Sequence, residues 1–403
     1  MLYLFENYAL DLARRELRCG SEPVSVEPQV FDLLVYLMQN RDRVVSKDDL
    51  IASVWGGRIV SESTLTSRVN AARKAVGDSG AEQKLIRTIA RKGFRFVAEI
   101  DEAADPRIEP ARSKRPEVYP RQDIRFCTAR DGVRIAFAAV GAGPPLVKTA
   151  SWLNHLEYDW RSPVWCHLLQ ALAAEHRLVR YDQRGNGLSD WDVDDMSFAA
   201  WVGDLASVVE AMGLERFSLF GMSGGCAVAI AYAARFPRRI SRLLLYGGFA
   251  QGAFRRKSDG AAEQYEAMAT LMRHGWGQDN PAFRQMFTSQ FIPGGTPEQM
   301  KWFNDLQRIA TSPDNAERIM RTAHNVDVTE LLARIRVPTL VLHCRDDARV
   351  PFEEGRRMAA GIPGARFVAL EGRNHVVLQG EPAFDLLLEE IRGFLAQADE
   401  PLV

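Results

Sequence analysis

Residues 101–122, DEAADPRIEPARSKRPEVYPRQ, set Pro106, Pro110, Pro116 and Pro120 among charges, with only Ile108, Val118 and Tyr119 as sizeable apolar side chains. Proline removes a backbone donor and fixes φ, so a run this dense cannot continue a helix or a central strand. A segment this polar also buries too little surface to fold on its own. It reads as a semi-extended linker. It divides the 403-residue chain into about 100 residues before it and about 280 after it, both ordinary domain sizes. Residues 1–100 are expected as one domain and 123–398 as another. With 46% hydrophobic and 26% charged residues, the composition is globular rather than disordered.

Net charge is −1, which excludes a polycation held to nucleic acid by bulk charge. The charge is nevertheless uneven. Residues 61–100 carry eight Lys and Arg against four Asp and Glu, whereas residues 1–60 carry seven against nine. Cys19, Cys127, Cys166, Cys226 and Cys344 are scattered, with no CxxC or Cys/His metal spacing. Thiols in a reducing cytosol are expected, and no metal or organic cofactor is implied. The start, MLYLFENYALDLARRELR, lacks the pattern of a signal peptide, so a cytoplasmic protein is expected. Phe217–Ala234 runs 18 residues without a charge, the lower limit for a membrane span. Gly221, Ser223, Gly224 and Gly225 at its centre favour strand, turn and helix instead, and no membrane partner is expected.

In the first domain, short strands are expected at Leu2–Phe5, Tyr8–Asp11, Glu16–Arg18 and Val24–Val26. Pro28 then opens a helix with Phe31, Leu34, Val35 and Met38 on one face. Ser46-Lys47-Asp48-Asp49 has capping-box spacing and starts a second helix, which Gly56-Gly57 stops. A third begins near Ser61 or Ser63, with Leu65, Val69, Ala72 and Val76 inward and Ser63, Thr64, Ser67, Arg68 and Lys74 on other faces. Two alternating strand runs close the domain around a basic turn, Leu85 to Phe96.

This order resembles the winged helix-turn-helix DNA-binding domain of OmpR/PhoB-type regulators. The resemblance covers residues 1–98, with VVSKDDLIASVW, LTSRVNAARKAVGD and a TIARKGFRF wing. It implies an α+β winged helix that binds double-stranded DNA, with the helix from Ser63 to Val76 in the major groove. Ser63, Thr64 and Ser67 would face the groove, Arg68 would reach base edges, and Arg73 and Lys74 would hold phosphates. Arg91, Lys92 and Arg95 of the wing would meet backbone or minor groove. Ala90-Arg91-Lys92 stands where the family more often has Arg-Gly.

The second domain carries three landmarks in a fixed order. Arg216–Phe220 leads into Gly221-Met222-Ser223-Gly224-Gly225 and an apolar helix, the strand–turn–helix context of a nucleophile elbow. Val337–Cys344 runs into Asp346-Asp347, and Phe367–Leu370 into a loop ending on His375. A serine hydroxyl is a weak nucleophile until a base takes its proton, and a carboxylate must orient that base. Ser223, His375 and Asp347 fit these roles, with Asp346 as the alternative acid.

The same residues, with the Tyr181–Ser189 turn YDQRGNGLS, resemble the α/β-hydrolase superfamily over roughly residues 123–398. The proline iminopeptidase and haloperoxidase-like branch is the nearest in pattern. The resemblance implies a mostly parallel central sheet with a helical cap at about 251–330. It also implies an oxyanion hole of two backbone N–H groups, one from Gly224. The other falls to Trp152 or Ser151, because Thr149-Ala150-Ser151-Trp152 replaces the family's His-Gly. His155, Trp160, Trp165, Trp276, Trp302 and Cys226 are candidates for the pocket or for ordinary packing. Asp182 and Arg184 read as structural.

Together the domains point to a transcription regulator that senses a small hydrophobic or ester-like ligand, with its hydrolysis by the Ser-His-Asp set left open. The alternative is a serine esterase, lactonase or amidase with the winged helix as an accessory module. A homodimer is expected, since winged helices of this type act on repeated half-sites.

Overall fold

The protein is represented by a computed structural model that describes all residues except 1, 13, 21, 56–61, 91, 99, 104–119, 257–260, 279 and 398–403. It divides into two compact units, Met1–Val118 and Tyr119–Val403.

The first unit opens with strands β1 (Leu2–Phe5), β2 (Tyr8–Asp11), β3 (Glu16–Cys19) and β4 (Glu22–Val24). Strand β4 lies two residues earlier than the expected Val24–Val26, because Pro23 and Val24 pair with Arg18 and Leu17 of β3. Helices α1 (Pro28–Gln39), α2 (Lys47–Trp55) and α3 (Glu62–Ala75) follow, then β5 (Ile86–Ile89), β6 (Gly93–Phe96) and β7 (Asp101–Ala103). The last strand takes up the first three residues of the expected linker by pairing with β1. The remainder of that stretch, to residue 119, lies outside the described residues, as does the Gly56-Gly57 stop.

Local chemistry accounts for these elements. Pro28 occupies the first turn of α1, where a missing N–H costs nothing. Ser46 Oγ accepts from Asp49 N at 3.0 Å while the Asp49 carboxylate accepts from Ser46 N at 3.1 Å, a reciprocal cap on α2. The inward faces of α1 and α3 meet in one core with Leu33, Leu34, Leu37, Leu65, Val69 and Ala72 all buried. Each such leucine or valine contributes about 1.5–3 kcal/mol on burial. The β5–β6 hairpin is pinned to the connection before α2 by two Val45–Phe94 backbone bonds of 2.8 and 2.9 Å. Gly93 permits that approach. Its φ is +139°, and a Cβ there would fall 2.0 Å from the Val45 carbonyl oxygen.

The second unit is built on an eight-stranded sheet. Its strands are β8 (Asp123–Thr128), β9 (Arg134–Val140), β10 (Pro145–Lys148), β11 (Arg177–Tyr181), β12 (Phe217–Met222), β13 (Ile240–Tyr246), β14 (Thr339–Cys344) and β15 (Arg366–Leu370). Their spatial order is β15-β14-β13-β12-β10-β11-β9-β8. Strands β10 to β15 pair in parallel, and β9 pairs antiparallel with both β8 and β11. All six residues of β12 and of β14 are buried, as strands covered on both faces require.

Helices α4 (Leu156–Trp160), α5 (Cys166–Glu175), α6 (Phe198–Ala211) and α7 (Gly225–Arg235) follow the first strands. Helices α8 (Ala261–Gly275), α9 (Ala282–Phe291), α10 (Pro297–Ala310), α11 (Pro313–Asn325) and the short α12 (Thr329–Leu332) stand between β13 and β14. Helices α13 (Phe352–Gly361) and α14 (Pro382–Leu395) complete the unit. Helices α5 and α14 share one core with residues of α8–α11, and α6, α7 and α13 lie in a second. The uncharged run Phe217–Ala234 is therefore β12, the turn and most of α7. Among the described residues no helix is long and apolar enough to cross a membrane.

Candidate active site

Three strand ends build the site. Strand β12 delivers Ser223 into a turn at φ +52°, the left-handed region that a residue with a Cβ avoids at a cost of about 1–3 kcal/mol. The turn is held from both sides: Ser223 N donates to the Tyr246 carbonyl at 2.9 Å, and the Ser223 carbonyl accepts from Cys226 N at 3.0 Å. Tyr246 ends β13, and its hydroxyl donates to the His375 carbonyl at 2.8 Å. One residue thus ties the serine turn to the histidine loop, a role that nothing in its local sequence signals. Gly247, next in the chain, lies against the histidine: a Cβ there would stand 3.3 Å from His375 Cε1.

Strand β14 delivers the acid. His375 Nδ1 donates to Asp347 Oδ2 at 2.8 Å, and these side chains are 1% and 0% exposed. Asp347 Oδ1 accepts from the backbone N–H groups of Arg349 (2.8 Å) and Val350 (2.9 Å). Burial pushes the Asp347 carboxyl up. The charge and hydrogen bond of His375, with His343 and the Val350 N–H, outweigh that and hold it below its ordinary value. It is ionised, as an imidazole-orienting carboxylate must be. Asp346 is exposed and makes no such bond. His343 was not singled out from sequence, yet it braces this loop, with Nε2 donating to the Val350 carbonyl at 3.0 Å and standing 3.6 Å from Asp347 Oδ2.

His375 Nε2 is buried and has no hydrogen-bond partner. This is the atom that a general base keeps open for a proton. Ser223 Oγ forms no hydrogen bond to it here, and such bonds commonly tighten only when substrate binds.

Among the described residues, no hydrogen bond takes up the N–H of Gly224 or of Trp152. The atypical loop is drawn onto the nucleophile turn by Thr149, whose N–H donates to the Phe220 carbonyl (2.9 Å) and whose hydroxyl donates to the Gly225 carbonyl (3.2 Å). Gly225 allows this approach, since a Cβ there would sit 2.3 Å from Thr149 Oγ1 and 2.6 Å from the Ala150 carbonyl oxygen. The Trp152 ring stacks on Phe287 at 6.4 Å and meets Trp276 edge-on at 5.8 Å, beneath α9.

The other residues weighed from sequence are mainly structural. Trp160, Trp165, Trp276 and Cys226 are buried in the cores. His155 caps α4. Trp302 stacks on Tyr158 at 4.7 Å beside a cavity of about 1250 Å³ that touches none of Ser223, Asp347 and His375. Burial pushes Asp182 up to about 7, and its carboxylate accepts from Asn154, Leu156 N and Leu188 N. Arg184 pairs with Asp131 and Asp204, each at 2.6 Å. The cavity beside the acid, about 690 Å³, is lined by Asp347, Arg349, Tyr265, Met268 and Gln290 among others.

In the first unit, Thr64, Ser67, Lys74, Lys92 and Arg95 are exposed. The Arg95 Nε donates to the Arg41 carbonyl at 3.0 Å. Arg68 forms an ion pair with Glu27. Arg73 differs from expectation: it is buried, donating to the Ile86 carbonyl at 2.8 and 3.0 Å and to Thr88 Oγ1 at 2.7 Å. It fastens α3 to β5 and does not present its guanidinium to a phosphate. Arg91 and the Ser63 side chain lie outside the described residues.

Comparison with known proteins agrees with this architecture. Residues 21–96 match the family described as Transcriptional regulatory protein, C terminal, and residues 137–385 match the Alpha/beta hydrolase family. The chain is 28% identical over 273 residues to the pyrrolizixenacetamide deacetylase of Xenorhabdus hominickii, covering 66% of this chain and 97% of that one. A thermophilic esterase from Thermogutta terrifontis superposes with a TM-score of 0.56 at 25% identity, over 70% of this chain and 100% of the other. The enol-lactonase of Burkholderia xenovorans LB400 gives 0.57 at 21% identity over 68% and 100%, a likeness of fold. The matched span exceeds half of the sequence: this chain belongs to the alpha/beta hydrolase family, with a transcriptional-regulator domain at its N-terminal end.

Proposed function

We propose that this protein is a DNA-binding transcription regulator whose hydrolase unit takes up a small ester- or lactone-like molecule and cleaves it on Ser223. The observation that carries the reading is the buried Asp347–His375 pair, with Nε2 unpartnered, joined through Tyr246 to a serine in a strained turn. Ser223 Oγ attacks the ligand carbonyl and its proton passes to His375 Nε2. Asp347 stabilises the imidazolium, and the N–H groups of Gly224 and Trp152 receive the oxyanion. The proton then goes to the leaving alkoxide, and water repeats the sequence to free the acid. Thr64, Ser67, Lys74, Lys92 and Arg95 supply the DNA-facing surface, and two copies would occupy paired half-sites.

Hydrolysis of p-nitrophenyl butyrate by the full chain tests the chemistry. A rate that falls to background in Ser223→Ala supports it; equal rates in the two proteins overturn it. The second reading, an enzyme with an accessory winged helix, is favoured by the relatives named as deacetylase and esterase. Gel shifts with the DNA upstream of the gene separate the two readings, since only a regulator gives salt-sensitive binding with a sequence preference.

A further inference from the structure

Arg349 lies two residues beyond the acid, and three helices converge on it. Its Nη1 donates to Gln290 Oε1 of α9 at 2.8 Å, and its Nη2 donates to His324 Nε2 of α11 at 3.3 Å. Its guanidinium carbon stands 5.1 Å from the ring centre of Tyr265 on α8, 5.3 Å from that of Phe291 and 6.0 Å from that of Phe287. The Phe291 ring in turn meets the His375 ring edge-on at 5.5 Å. Phe291 thus contacts both Arg349 and His375. The end of α11 also overlies the nucleophile turn, since a Cβ on Gly224 would touch Ala323 at 3.9 Å.

The charge of Arg349 has no protein counter-ion among the described residues. The carboxylates of the adjoining 690 Å³ cavity are committed elsewhere. Asp347 bonds His375, Glu354 pairs with Arg256 at 3.5 Å and Arg357 at 2.8 Å, and Glu353 pairs with Arg356. A guanidinium has five N–H donors, and only two are engaged here. Aromatic faces stabilise a cation but leave its in-plane donors unused. A half-buried, unpaired guanidinium beside a cavity is the arrangement that binds a carboxylate, because charge-assisted bonds then replace lost hydration.

We propose that Arg349 is an anion subsite of the triad and that the ligand of this unit carries a free carboxylate in addition to its scissile carbonyl. This rests on the reading that the Ser223 site takes an ester-like ligand. Arg255, which also lines the cavity, donates to the Asn325 carbonyl at 3.1 Å, and the in-plane donors that Arg349 leaves open suit a single planar carboxylate, so a monocarboxylate half-ester is the ligand form proposed. Gln290 and His324 hold the guanidinium in place for it.

The test compares mono-p-nitrophenyl glutarate with neutral p-nitrophenyl butyrate, using the full chain. The wild type should favour the glutarate by at least ten-fold in kcat/KM. Arg349→Gln should bring the ratio close to one, and Arg349→Lys should retain part of the preference. A wild-type ratio near one overturns the proposal. So does an Arg349→Gln protein that loses both activities in parallel, because that is the signature of a residue that only braces the acid loop.

A binding assay removes the dependence on turnover. Tryptophan fluorescence of the Ser223→Ala protein is titrated with monoethyl glutarate and with diethyl glutarate. The half-ester should bind at least ten-fold more tightly, and Arg349→Gln in the same background should abolish the difference. Preferential half-ester binding without hydrolysis of any ester would keep the subsite and remove the hydrolase reading. Hydrolysis without charge preference in either assay would do the reverse.

Discussion

Tyr246 serves the site with both ends: its carbonyl takes the Ser223 N–H and its hydroxyl holds the His375 carbonyl. Removing the hydroxyl leaves a buried carbonyl without its donor, worth about 1–3 kcal/mol. Tyr246→Phe should therefore lower kcat/KM on p-nitrophenyl butyrate by about ten-fold, the equivalent of ~1.4 kcal/mol. An unchanged value would show that the histidine loop needs no such tie. The acid can be assigned the same way. Asp347→Asn should cost about a thousand- to ten-thousand-fold in kcat by loss of the oriented imidazole, whereas Asp346→Asn should stay near wild type. Ser223, Asp347 and His375 were proposed from sequence because each follows a strand run and the three stand in the family's chain order; the structure brings Asp347 and His375 into hydrogen-bond contact. Tyr246 and His343 were not proposed. Their roles arise from neighbouring strand ends in the parallel sheet, which no single stretch of sequence displays. Arg349 was passed over for a similar reason: its partners sit on α8, α9 and α11.

At the scale of elements, α3 and the wing show how a sequence pattern and its function separate. The inward spacing of Leu65, Val69, Ala72 and Val76 correctly places the helix, and all four are buried. The family resemblance implied a phosphate contact for Arg73, but its guanidinium reaches across to β5. Arg73→Ala should lower the stability of the first unit by about 1–3 kcal/mol, as a bonded buried carbonyl loses its partner. Urea unfolding followed by circular dichroism reads this. Lys74→Ala should leave stability within about 0.5 kcal/mol and reduce the salt slope of DNA binding by about 1. If the two variants behave alike, Arg73 is a DNA contact after all. In the second unit, Gly225→Ala would force Thr149 and Ala150 away from the nucleophile turn. It should cost about 1–3 kcal/mol by overpacking and lower esterase activity along with stability. The departure from His-Gly in this loop was visible in sequence. Its repair through Thr149 required the three-dimensional register.

Across the whole molecule, acid sensitivity should follow carboxylates that the fold holds ionised. Four backbone N–H groups, from Ser79, Lys84, Leu85 and Ile86, donate to Asp78 in the first unit and outweigh burial to keep its carboxyl below the usual value. Asp347 is depressed in the second. A lowered folded value adds stability above the unfolded value of about 3.9, and that stability is lost as pH falls through the lowered one. The urea midpoint of the first unit should thus hold between pH 5 and 7 and drop below about pH 4, and Asp78→Asn should weaken that drop; in the second unit the raised carboxyl of Asp182 acts in the opposite sense. A midpoint that rises on acidification would contradict this. The division into a winged helix and a hydrolase was readable because proline and charge break the chain and each half carries its own periodicity. The cavity beside Asp347 was not, since it forms where residues of α8 and α9 meet the loop after β14.

The most direct test of the central claim is labelling of the full chain by a fluorophosphonate, which reacts only with an activated serine, followed by peptide mass spectrometry. One adduct is expected on the peptide containing Ser223, absent in Ser223→Ala and strongly reduced in His375→Ala. An unlabelled wild type, or labelling that persists in Ser223→Ala, would contradict it.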